Sequence, residues 1–397
     1  MIGLVEAVLI ELAKALGKFF LNPMLYWAII LVIVLGYKRI KKERFNFGFK
    51  IFNVFAEWKN TWALSMVTGL LISLVTLGIG FVFSYEIILL LSIVIILLSI
   101  NGRLTMLSPS YTIGVTFLLL LLSPLLLEHQ TFIQVDLFSQ TNFSSLAILL
   151  GLFLIVEAIL IMRVKRNDTY PELSLSNRGV WVGQHHLKKL SMIPFFILIP
   201  SGLVEPFANF WPFFSLGENS YSLLLVPFII GFDYTVRGDL PQHASAVIGK
   251  SVTLLGIIVL MFAIGSIYLS WLSIIAVMIG IIGKEFINYK HRTADKNKYP
   301  FFNQMDEGLK VLATIPGTPA DRLGILVGET IYRVNGQHIS TSDEFYEALQ
   351  ASGAYFKLEV LDDRKEVRFV QSAFFDGDHH ELGLVFTEQP YRYVQTG

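Results

Sequence analysis

The chain has no cysteine. That excludes disulfides, thiolate metal centres and cysteine nucleophiles. Charge is also scarce: 16% of residues are Asp, Glu, Lys or Arg, against about 25% in ordinary soluble domains. The 31 basic and 31 acidic residues cancel, so no bulk field favours nucleic acid. None of the eight histidines belongs to an HExxH motif, and neither a GxSxG elbow nor a GxxxxGK[ST] loop occurs. Nothing therefore points to a catalytic residue, a metal site or a cofactor. The pairs His185–His186 and His379–His380 lie in polar stretches and read as surface histidines. The N-terminus lacks a basic n-region followed by an uninterrupted apolar stretch, so it does not read as a cleavable signal.

What the chain has instead is apolar length. Hydrophobic residues make up 54%, and they are concentrated before residue 284. A spanning helix needs about 20 mostly apolar residues, because lipid cannot satisfy backbone polar groups. Runs of that kind lie at 21–37, 63–83, 86–100, 112–127, 143–162, 190–205, 222–234 and 251–283. The last is long enough to turn near Ser270 and cross twice. The expectation is a polytopic α-helical membrane domain over 21–283 with about eight spans, six to nine being compatible with the runs. Residues 1–20 have the spacing of an amphipathic interfacial helix.

Loop charge sets the orientation. Stretch 38–50 carries six Lys or Arg and one Glu, and 163–189 is also basic, whereas 128–142 and 206–221 contain no Lys or Arg. By the positive-inside rule, the basic stretches and everything after Lys284 are expected in the cytoplasm. Within the spans, Glu157 is the notable charge. It reads as a functional group, or as a carboxylate that reaches the cytoplasmic interface or pairs with a neighbouring helix. Prolines 194, 200, 206 and 212 recur every six residues and read as bends in a helix.

The remainder divides into a linker at 284–302, a compact domain at 303–390 and a tail at 391–397. Leu309–Ile315 and Thr330–Val334 have strand character. Asn335-Gly336 is a type I′ hairpin signal, because both central positions of that turn need positive φ. Thr341 with Glu344 forms a capping box ahead of a helix carrying Phe345, Ala348 and Leu349 on one face. Phe356–Leu361 and Glu366–Val370 form a further hairpin.

VLATIPGTPADRLGILVGETIYRVNG resembles the central signature of bacterial PDZ domains. The matching positions are Pro316, Gly317, Pro319, Ala320, Gly324, Ile325, Gly328, Ile331, Val334, Asn335 and Gly336. The resemblance implies an α+β domain that binds a peptide by strand addition. The peptide carboxylate would be held by a Φ-Gly-Φ loop. Leu382-Gly383-Leu384 fits that loop, with Val385 and Phe386 opening the pairing strand and Phe345 and Leu349 on the helix wall. This reading makes the domain circularly permuted. Two alternatives stay open: ELGLVF as only a final strand, and Asp306–Leu309 as the loop.

Taken whole, the chain resembles the MinJ-type cell-division topological determinants of Firmicutes. The likeness lies in the opening KFFLNPMLYW, the basic first cytoplasmic stretch, the multiple spans and the single C-terminal PDZ domain. The resemblance implies a non-enzymatic adaptor in the plasma membrane, enriched at septum and poles. It would join a DivIVA-like polar scaffold to a MinD-like ATPase and other divisome proteins. The competing readings are a PDZ-regulated transporter and a regulator of membrane proteolysis.

Overall fold

The computed structural model describes residues 3–127, 142–176, 178–217, 220–303, 308–351, 355–373 and 382–392. Six helices come first: α1 (Leu4–Leu21), α2 (Pro23–Phe47), α3 (Trp62–Ile79), α4 (Tyr85–Ser99), α5 (Pro109–Leu127) and α6 (Phe143–Met162). A three-stranded antiparallel sheet follows, made of β1 (Tyr170–Leu175), β2 (Trp181–Val204) and β3 (Tyr221–Val236). Two more helices, α7 (Pro241–Gly265) and α8 (Leu272–Lys296), lead into the C-terminal domain. Helices α2, α3, α6, α7 and α8 are long and apolar enough to cross a membrane. The described parts of α4 and α5 are apolar but shorter.

Two of the expected spans are not helices. Runs 190–205 and 222–234 form β2 and β3, paired in register from His185–Val236 to Pro200–Tyr221. The count of about eight helical crossings is corrected accordingly. A short apolar run does not distinguish a buried strand from a buried helix by periodicity. Here strand residues dominate, with Ile, Phe, Val and Leu on both faces. The 251–283 run does divide, with Ser270 in the turn between α7 and α8.

A hairpin buried among apolar helices must satisfy its own edge, and α3 with the residues flanking it supplies the partners. The β2 amides that point away from β3 belong to even-numbered residues. Leu190 N–H donates to Glu57 O at 3.1 Å, and Leu198 N–H to Phe81 O at 3.1 Å. Between them, Phe196 N–H donates to Ser73 Oγ at 2.9 Å, and Thr76 Oγ1 donates to Phe196 O at 2.5 Å. Pro194 and Pro200 share this even phase, so their missing N–H groups fall where the ladder needs none. Pro194 faces Pro227 across the pair. Pro194 and Pro200 thus mark a strand edge rather than helix bends, while Pro206 and Pro212 lie in the connection between β2 and β3.

Gly69 lets α3 come this close. A Cβ there would stand 2.1 Å from Pro194 O. On the opposite side, Phe153 of α6 stacks on Phe228 with centroids 4.2 Å apart and meets Phe195 edge-on at 5.1 Å. The hairpin is therefore the centre of the largest apolar core. Helix α1 crosses its far end, with Ala15 and Glu11 buried and Glu11 accepting from Ser222 Oγ. Its other face exposes Val5, Leu9, Leu12 and Leu16.

Glu157 is buried and ion-paired. Lys284 Nζ of α8 donates to Glu157 Oε1 at 2.5 Å, and Ser108 Oγ donates to Oε2 at 2.7 Å. The basic stretch 38–50 is mostly the end of α2. In it, Arg39 is buried between Glu43 (2.6 Å) and Glu57 (2.9 Å). The segment read as a linker at 284–302 is helical through Lys296.

Candidate peptide-binding site of the C-terminal domain

The C-terminal domain comprises β4 (Leu309–Thr314), α9 (Pro319–Arg322), β5 (Thr330–Val334), β6 (Gln337–His338), α10 (Ser342–Ala351), β7 (Tyr355–Leu361), β8 (Val367–Ala373) and β9 (Leu384–Phe386). The sheet runs β8-β7-β5-β4-β9, with β6 on β5. Local chemistry follows the sequence. Asn335 and Gly336 hold φ of 50° and 83°. Glu344 N–H donates to Thr341 Oγ1, and Glu344 Oε2 accepts from the N–H of Ser340 at 2.7 Å and of Thr341 at 3.3 Å, closing the capping box.

Strand β9 ends the sheet, and among the described residues no strand pairs with its other edge. The loop before it turns its carbonyls inward. Leu382 O accepts from Ala320 N–H at 3.0 Å, and Gly383 O accepts from Ile315 N–H at 2.8 Å. A trans peptide points its N–H opposite its C=O. The Gly383 and Leu384 N–H groups are therefore aimed away from α9 and β4, toward the open edge. Gly383 holds φ +82°, and a Cβ would stand 2.3 Å from Thr318 Oγ1. Leu384 opposes Thr314 in a pair that leaves its own amide outward, whereas Val385 lies opposite Ala313.

Along this edge runs a cleft of about 330 Å³ between β9 and the first turns of α10. Leu384, Val385 and Phe386 line it. Its helical wall is Ser342, Asp343 and Tyr346. Phe345 and Leu349 are instead core residues, 0% and 2% exposed, and Phe345 meets Phe386 edge-on at 5.3 Å. The wall residues sit one step around the helix from that buried stripe, a phase that the apolar spacing could have indicated. Pro316, Gly317, Ala320, Gly324 and Gly328 form the turns that hold β4, α9 and β5. The rival loop falls on Asp306 and Glu307, which lie outside the described residues.

The domain docks on the β1–β2 end of the hairpin. Asn167 Nδ2 donates to Ile325 O at 2.9 Å, and its Oδ1 accepts from Val327 N–H at 3.0 Å. Arg166 forks onto Asp363 at 2.6 and 2.5 Å. Tyr170, Ile51 and Phe52 pack with Ala313 and Val385. So β9 sends Leu384 and Phe386 into its own core and Val385 into the interface.

The His185–His186 pair belongs to this junction, not to a surface loop. His185 is buried against Phe302 with its Nδ1 2.9 Å from Thr169 Oγ1. Burial and the adjacent His186 charge push it down to about 3. His186 lies between Glu172 (2.6 Å) and Asp233 (2.9 Å). Burial opposes its charge, but hydrogen bonds to the two carboxylates outweigh it and raise His186 to about 9. Glu172 is opposed by burial in turn, yet His186 and Lys42 hold it down at about 2. His379 and His380 lie outside the described residues.

Comparison with known proteins bears on both parts of the chain. Residues 310–361 match the PDZ domain family. The cell division topological determinant MinJ of Bacillus subtilis (strain 168) is 32% identical over 96% of each chain. The chain belongs to the MinJ family. A probable MinJ of Lacticaseibacillus paracasei is 23% identical over 64% of this chain and 68% of its own, and one from Lacticaseibacillus casei (strain BD-II) matches equally. The match to the Bacillus subtilis protein covers both the apolar helices and the PDZ domain. The long hairpin inside the helical part had no counterpart in the sequence expectations.

Proposed function

We propose that this MinJ-family chain is a non-enzymatic membrane adaptor of division-site selection. Its PDZ domain faces the cytoplasm and captures partners by their peptide termini at the β9 edge. The partners in this reading are a DivIVA-like scaffold and a MinD-like ATPase, concentrated at septum and poles. The observation that carries it is the pair of outward N–H groups at Gly383 and Leu384 beside an unpaired strand edge. Free backbone donors in a concave turn suit a carboxylate. The Glu157–Lys284 pair fits the adaptor reading better than a transport pathway, because each charge is already neutralised by the other.

Two measurements test it. An alkaline phosphatase fused after Gly397 should be inactive, and a fluorescent fusion bright. The Gly383→Val chain should insert in the membrane yet fail to concentrate its partners at division sites. Normal recruitment by an inserted Gly383→Val chain would overturn the site.

A further inference from the structure

The peptide cleft is not built by the PDZ domain alone. Asn46 and Phe47 at the end of α2, and Phe49 just beyond, line the same space as Tyr346 and Phe386. Phe49 is 40% exposed into it. Tyr391, after β9, also lines the cleft and packs its ring over Gly48, where a Cβ would stand 3.1 Å away. The membrane-spanning part therefore supplies a wall that an isolated PDZ fold lacks.

Direction follows from the loop. A carboxylate at the Gly383 and Leu384 N–H groups ends a peptide that runs antiparallel to β9. At about 3.3 Å per residue, its fourth or fifth residue from the end passes Glu388. There the cleft holds Asp343 and Glu388, both exposed, together with the Phe49 and Tyr391 rings. Among the described residues, no Lys or Arg lines it. Apolar rings with two carboxylates suit a cationic side chain on an apolar stem, by charge and by cation–π contact.

We infer that this composite wall selects peptides with a free C-terminus that carry Lys or Arg, flanked by apolar residues, at about the fourth to sixth positions from the end. The inference rests on the peptide-site reading above and adds who is chosen. It makes membrane-domain residues determinants of PDZ specificity. A partner with an acidic stretch at those positions is rejected even when its terminal residue fits.

The test uses the full chain in lipid nanodiscs and a displayed library of random nonapeptides with free C-termini. Peptides selected on the native chain should be enriched in Lys and Arg at the fourth to sixth positions from the end. Asp343→Asn with Glu388→Gln should abolish that enrichment while leaving the terminal preference intact. Phe49→Ala, an exposed position, should weaken the selected basic peptides about tenfold. Peptides that bind with a terminal preference but no upstream bias overturn the composite wall and leave the carboxylate site standing. Equal capture by the native chain and by Gly383→Val overturns the site itself, and the wall with it.

Discussion

Removing one member of the Glu157–Lys284 pair should damage the membrane domain far more than removing both. The two side chains are 0% and 2% exposed and their charges are 2.5 Å apart. In Lys284→Met, Glu157 keeps only the Ser108 hydroxyl as a partner. Leaving one charge of a buried pair costs about 3–5 kcal/mol, whereas replacing both by neutral groups of similar volume is often close to neutral. Glu157→Gln retains an oxygen for Ser108 Oγ, so the Lys284→Met, Glu157→Gln double variant should recover most of the loss. The coupling should therefore exceed about 2 kcal/mol, since contacting residues depart from additivity by up to about 3. At about 2.1 cal/mol/K of unfolding entropy per residue, a chain of this length shifts by about 1.2 °C per kcal/mol, so Lys284→Met should melt about 4–6 °C below the native chain. The assay is intrinsic fluorescence in detergent, with all four members of the cycle measured together. A single variant that melts with the native protein would refute the reasoning. So would a double variant that melts as low as the two losses added.

Gly69→Val places a branched side chain against Pro194 O and should separate α3 from the hairpin, giving a chain that is degraded or aggregates on extraction; normal yield and melting would contradict the close packing. Asn167→Ala removes two hydrogen bonds to the PDZ backbone, each worth about 1 kcal/mol, and should raise amide exchange at Val327, whose N–H it accepts, without lowering membrane-domain stability. The His186 cluster predicts a pH window. His186 is raised from 6.5 to about 9, so its contribution is complete below about 6.5 and is lost as pH climbs through 9. Glu172 is lowered from 4.5 to about 2, so its contribution is present above 4.5 and is lost as pH falls through 2. Unfolding free energy should fall between pH 6.5 and 9 by up to about 3.5 kcal/mol at about 1.4 per unit, and His186→Ala should flatten that fall.

Composition and order determined much of this protein in advance. The apolar runs before residue 284 announce a membrane domain, because only such runs can leave water. The PGTPA and VNG turns announce a PDZ fold, because Gly317, Gly324, Gly328 and Gly336 all hold positive φ. Gly383 was legible for the same reason. What the sequence left undecided was whether 190–205 and 222–234 cross as helices or strands. Both are apolar on every face, so periodicity is silent. The choice depends on whether another element can satisfy a strand edge, and Ser73, Thr76 and Gly69 lie over a hundred residues away. Phe345 and Leu349 were misplaced for a related reason: an apolar helix face near a groove can be wall or core, and only the position of β9 decides. The docking of the PDZ domain, through Asn167, Arg166 and Tyr170, likewise rests on pairs far apart in the chain. Local chemistry writes the elements into the sequence, and the partners across those distances exist only once the chain has folded.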